Sequence, residues 1–99
     1  RLVGSEMCIR DRYTPNAFYW LGELHLATSN MEPARQNFVQ VIRLYPDHQK
    51  VPDALYKLGV LYFQLGDESV SRRFLTQVQT EFPQSSAGAL AKRYLAEME

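Results

Sequence analysis

The sequence predicts an all-α fold built as a short solenoid, two helix-turn-helix units in tandem closed by one further capping helix. Three observations predict it. The chain repeats itself at a register of 37 residues, apolar residues recur at helical spacing inside each copy, and prolines, glycines and small polar residues stand where helices start and stop. Sliding the chain along itself brings Pro15 onto Pro52, Ala17 onto Ala54, Tyr19 onto Tyr56, Leu21 onto Leu58, Gly22 onto Gly59 and Leu24 onto Leu61. Further along, Val41 meets Val78, Tyr45 meets Phe82 and Pro46 meets Pro83, and a third, partial copy continues with Ala91 and Leu95. The units are residues 14–50 and 51–87, with a last helix over 86–98.

Thr14 can cap a first helix that begins at Pro15, where a missing N–H costs nothing. That helix runs through Phe18, Leu21, Gly22 and His25 and stops near Thr28-Ser29. Asn30 can cap the second helix, which carries Glu32 in its first turn and an inner stripe of Ala34, Phe38, Val41 and Ile42. Pro46 disfavours helical geometry at Tyr45, so this helix ends near Leu44. The second unit repeats the plan: Pro52 to about Leu65, Gly66-Asp67 as turn and cap, then Glu68 to about Glu81. Ser85-Ser86 reads as the cap of the last helix, which carries Leu90, Tyr94 and Met98 on one side. Glycine inside a helix costs about 1 kcal/mol against alanine, so Gly22 and Gly59 imply a close approach of the partner helix. Ala34 and Ser71 supply small residues opposite, with Phe18, Leu21 and Phe38 filling one unit and Leu55, Leu58 and Leu75 the other.

The first twelve residues, RLVGSEMCIRDR, have neither helical nor alternating periodicity and break the repeat: Cys8-Ile9 stand where an aromatic followed by proline is due. Their second half resembles the translation of a sequencing-library adaptor. The segment therefore reads as a non-native scar, the alternative being a native disordered arm, and it is set apart from the fold. Without it the chain has eight basic and nine acidic residues and loses Cys8, its one cysteine. A thiol-free domain suits an oxidising compartment.

Composition excludes several functions. Eleven basic and eleven acidic residues, with no basic block, leave no electrostatic grip on nucleic acid. No run reaches the roughly 18 apolar residues of a membrane helix, so no membrane insertion is expected. His25 lies on the packing side of a helix and His48 in a connection beside Asp47, a solvated loop in this reading. Two histidines so placed make no metal site. Asp67-Glu68 is a helix start, no Gly-rich phosphate loop exists, and nucleophile, base and orienter never occur together. No enzyme and no cofactor are expected.

The run Phe18, Leu21, Gly22, His25, Ala34, Phe38, Val41, Pro46 resembles the tetratricopeptide (TPR) repeat, and Leu55, Leu58, Gly59, Tyr62, Ser71, Leu75, Val78, Pro83 matches the same eight positions. His25 stands where tyrosine is usual and Ser71 where alanine is. The common repeat has about 34 residues, so each connection here is three longer. That longer link, a "YP" closing one repeat and "VPDALYKLG" opening the next, is similar to the C-terminal TPR domain of the periplasmic Tol-Pal-associated cell division coordinators.

The resemblance implies a periplasmic interaction scaffold that binds the Tol system's energising protein and a peptidoglycan synthase, coordinating outer-membrane constriction with septal wall synthesis. The alternatives are a TPR lipoprotein of outer-membrane protein assembly or a generic TPR adaptor. It also implies that the first helices line a concave face through repeat positions two, five, nine and twelve: Asn16, Tyr19, Glu23 and Leu26, then Asp53, Tyr56, Val60 and Phe63. Tyr19 and Tyr56 in register suggest an aromatic ladder for an extended or helical segment; packing against the last helix or an upstream repeat is the other use for these groups. The Lys and Asn with which some TPR domains clamp a carboxylate at positions five and nine are Tyr/Glu and Tyr/Val here. In the parent family a further repeat, a coiled coil and a signal peptide lie upstream. Because a repeat buries its apolar face only against neighbours, the open side of the first helix, with Phe18 and Trp20, is expected to be partly bare and the chain to self-associate there.

Overall fold

The computed structural model describes residues 14–98; the expected scar, with Cys8, lies outside them. Five helices follow in order: α1 Pro15–Ala27, α2 Met31–Leu44, α3 Val51–Gln64, α4 Glu68–Glu81 and α5 Ser86–Met98. Consecutive helices pack against each other from α1 to α5, and α3 also touches α5. The first helices of the units (α1, α3, α5) thus form one layer and the second helices (α2, α4) the other. No strand occurs among the described residues.

The caps explain the boundaries. Thr14 accepts from the Ala17 amide at 3.2 Å, Asp67 from Val70 at 3.2 Å, and Ser85 from Gly88 at 2.9 Å. Each satisfies an amide that the first helical turn leaves without a partner. Asn30 departs from the expected role. It stands at the N-cap of α2, but its side chain donates to the Thr28 hydroxyl at 3.1 Å and caps no amide. Helices α2 and α4 end at the C-caps Tyr45 and Phe82, each with a non-helical backbone ahead of a proline (φ −134°, ψ 60° and φ −132°, ψ 55°). Helix α3 starts at Val51, one residue before the expected Pro52, because the connection is an ordered turn. His48 and Val51 amides donate to the Tyr45 and His48 carbonyls, both at 3.0 Å. The His48 ring is part of that turn, its Nδ1 accepting from the Lys50 amide at 3.0 Å, rather than a solvated loop side chain.

The core is continuous through both units. Phe18, Ala34, Phe38, Val41, Ala54, Leu55, Leu58, Leu61, Leu75, Val78, Ala87 and Ala91 are buried, while Leu21 and Ile42 are half-buried. At Gly59 the helices meet closely, as the sequence requires. An added Cβ would lie 2.6 Å from Leu75 Cδ2 and 3.4 Å from the Ser71 carbonyl, and the buried Ser71 hydroxyl donates to the Gly59 carbonyl at 2.6 Å. At Gly22 the nearest atoms are not Ala34's. They belong to the Phe38 ring, 2.7 to 2.9 Å from where a Cβ would sit, so an aromatic edge fills the room the glycine leaves. On α5 the buried line is Ala87, Gly88 and Ala91, whereas Leu90 is exposed and Tyr94 and Met98 are half-buried. Small residues let α5 lie close on the preceding turn: a Cβ at Gly88 would stand 2.3 Å from the Phe82 carbonyl oxygen.

Candidate partner-binding surface

The layer of first helices presents the eight residues singled out by repeat position, and they do not behave alike. Tyr19 is 9% exposed. Its ring meets Phe38 edge-on at 5.7 Å, and the Lys50 ammonium lies 4.5 Å from its centroid. Burial, with the nearby Glu23 and Asp53 carboxylates, pushes its hydroxyl far above the usual phenol range, so it stays a neutral donor, hydrogen-bonded to Glu23. Glu23 in turn pairs with Lys57 of α3 at 3.0 Å, and Lys50 reaches Asp53 at 3.8 Å. Tyr19, Glu23, Lys50, Asp53 and Lys57 therefore form a polar and aromatic linkage across the junction of α1 and α3.

The more open half lies toward α5. Tyr56 is half-buried, and its ring meets Tyr94 edge-on at 6.1 Å. Phe63, 39% exposed, meets the same Tyr94 ring at 5.7 Å. Burial raises the hydroxyl pKa of both Tyr56 and Tyr94, so both remain neutral hydrogen-bonding groups. A recess between α3 and α5 is lined by Tyr56, Leu90, Arg93, Tyr94 and Glu97. Asn16 is exposed at the far edge, and Leu26 and Val60 are half-buried. The expected ladder of two equivalent tyrosines is thus a pair with different tasks: Tyr19 is held inside the repeat junction, and Tyr56 borders an aromatic recess.

Leu90, Arg93 and Glu97 are absent from the set drawn from the sequence, although the signal was there. They lie one period beyond Asp53, Tyr56 and Val60. The third copy is only partial, and its matches at Ala91 and Leu95 do not by themselves extend the face to α5.

No cluster of three His, Cys, Asp or Glu residues able to hold a metal ion occurs among the described residues. No described helix is long and apolar enough to cross a membrane. Half-buried His25 sits on the side of α1 that faces α2, with Phe18 and Gly22.

The family profile of the tetratricopeptide repeat matches the chain twice, over residues 16–48 and again over 53–85. A comparison with curated proteins found no match. The two matched stretches lie 37 residues apart, the register of the internal repeat.

Proposed function

Because the chain belongs to the tetratricopeptide repeat family, whose repeats are protein–protein interaction modules, we propose that it is a non-enzymatic scaffold in the bacterial envelope. In this reading it sits in the periplasm. It holds the Tol energising protein and a peptidoglycan synthase, coordinating outer-membrane constriction with septal wall synthesis. The observation that carries the scaffold role is the aromatic recess of Tyr56, Phe63, Tyr94 and Leu90 beside Arg93, on the face where such repeats hold partner segments. Rigid aromatics with part of each ring open give contact area at low entropic cost, the character of a binding hot spot. Support for the cell-division assignment is the 37-residue period, the Tyr45-Pro46 closure and the opening VPDALYKLG.

The test is affinity capture from a Gram-negative envelope extract with the intact chain and with a Tyr56→Ala, Phe63→Ala double variant. Recovery of the Tol energising protein and a peptidoglycan synthase by the intact chain, reduced at least tenfold in the variant, is expected. Capture of neither protein sinks the division role. Equal capture by the variant sinks the recess as the contact.

A further inference from the structure

Large apolar side chains outside the core reach solvent chiefly in two places. On α1, Trp20 and Leu24 are 68% and 60% exposed, while Phe18, expected on this side, is 5% exposed and belongs to the core. Neither exposed side chain is charged, so that stripe selects no partner by its chemistry. At the recess between α3 and α5, Phe63 and Leu90 are exposed in the company of Arg93 and Glu97, and there the chemistry does select.

The internal repeat supplies a comparison. The junction of α1 and α3 is bridged by Tyr19, Glu23, Lys50, Asp53 and Lys57, whose charges meet as Lys57–Glu23 at 3.0 Å and Lys50–Asp53 at 3.8 Å. One period on, the same five positions at the junction of α3 and α5 are Tyr56, Val60, Ala87, Leu90 and Tyr94. All four charges are exchanged for apolar or aromatic groups. Tyr94 meets Tyr56 and Phe63 edge-on, and where the first junction holds its own ions the second has a recess of about 150 Å³. That is below the ~300 Å³ at which small-molecule pockets begin, so the recess suits a single side chain.

Charge stands at its rim instead. Arg93 and Glu97 are exposed and one turn apart on α5, about 6 Å along the helix. Both act on the recess: burial raises the Tyr56 hydroxyl pKa, Glu97 raises it further and Arg93 opposes the rise. Neither is ion-paired among the described residues, whereas Glu23, Lys50, Asp53 and Lys57 all are. A segment lying over the recess therefore meets a positive and a negative group in fixed order beside an apolar seat.

Resting on the reading of the recess as the partner contact, we propose that its occupant is an internal segment of a partner protein carrying one large apolar side chain between an acidic and a basic residue. The apolar group enters the recess, the acid pairs with Arg93 and the base with Glu97. A chain ending at the acid would leave Glu97 unanswered, so the segment continues past it.

Random peptides of about twelve residues displayed on phage are selected on the intact chain, then measured as free, end-blocked peptides by fluorescence anisotropy. The expected winners place an aromatic residue or leucine between an acid and a base, and lose about tenfold or more in affinity for the Tyr56→Ala, Phe63→Ala variant. Exchanging the acid and the base within a winner should weaken it about threefold or more, the scale of exposed ion pairs. The Arg93→Glu, Glu97→Arg double variant keeps the net charge, and circular dichroism checks its helicity. It should prefer the exchanged peptide over the original. Winners without that charge order, or affinities indifferent to the double reversal, overturn the proposal. So do winners that bind the Tyr56→Ala, Phe63→Ala variant as tightly as the intact chain, and so does a selection that enriches nothing. Envelope capture that depends on Tyr56 and Phe63 but ignores the double reversal sinks the charge order alone and leaves the recess as the contact. Capture of neither division protein, with the charge order selected as expected, sinks the division role alone.

Discussion

Helices α1 and α3 occupy the same place in successive repeats and share Pro, Ala, Tyr, Leu, Gly and Leu in register. Helix α3 packs against α2, α4 and α5, whereas among the described helices α1 packs mainly against α2. The consequence is plainest at one pair: Leu61 is fully buried and its twin Leu24 is 60% exposed. An identical residue in an identical helix carries energy only when the neighbouring repeat supplies the other half of the contact. Leu61→Ala should therefore cost about 3 kcal/mol, and Leu24→Ala less than about 0.5 kcal/mol. Chemical denaturation of the two variants at low micromolar concentration measures the difference. Equal losses would break the comparison, because something would then have to cover α1 in the dilute chain.

The two glycines sharpen the same contrast. Alanine gains about 1 kcal/mol over glycine in a helix interior, while overpacking a tight contact costs about 1–3 kcal/mol. A Cβ at Gly59 meets Leu75 at 2.6 Å, and Leu75 is fully buried between helices held on both sides. A Cβ at Gly22 meets the Phe38 ring at 2.7 Å, but α1 is free to move outward on its uncovered side. Gly59→Ala is expected to destabilise by about 2 kcal/mol and Gly22→Ala by about 1 kcal/mol or less. Thermal unfolding of both variants reads the order, and a larger loss at Gly22 would mean that α1 is as firmly clamped as α3.

Helix number, order and ends were legible in the sequence because local chemistry sets them. Proline in the first turns of α1 and α3, proline after Tyr45 and Phe82, and the Thr14, Asp67 and Ser85 caps act within a few residues. What escaped depends on the neighbour's shape. Helical spacing makes Leu90, Tyr94 and Met98 a stripe of α5 as readily as Ala87, Gly88 and Ala91; only the nearness of the Phe82 carbonyl favours the small residues. Likewise position five marks Tyr19 and Tyr56 as equals, and Lys50 above the Tyr19 ring makes them different. Lys50 comes from the connection between the repeats, where the eight signature positions say nothing.

The smallest effect concerns the turns inside the two repeats. Ser29 and Gly66 are in register, and both have positive φ, 65° and 90°. Both turns close alike: the Asn30 and Asp67 amides reach back to the His25 and Tyr62 carbonyls at 2.7 and 2.9 Å. A residue with a Cβ pays about 1–2 kcal/mol in the left-handed region, and glycine loses about 0.5–1 kcal/mol more backbone entropy on folding. Ser29→Gly should therefore stabilise by about 0.5 kcal/mol and Gly66→Ala destabilise by about 1 kcal/mol, shifts of a few degrees in Tm for a domain of this size. Nothing lies within 4 Å of a Cβ built on Gly66, so the loss there is a backbone term and not a clash. The first repeat differs in one respect: Asn30 donates to the Thr28 hydroxyl across its turn, where Asp67 caps its helix instead. If Ser29→Gly lowers Tm, that side-chain bond depends on the stiffness of serine, and the two turns are alike in path but not in what holds them.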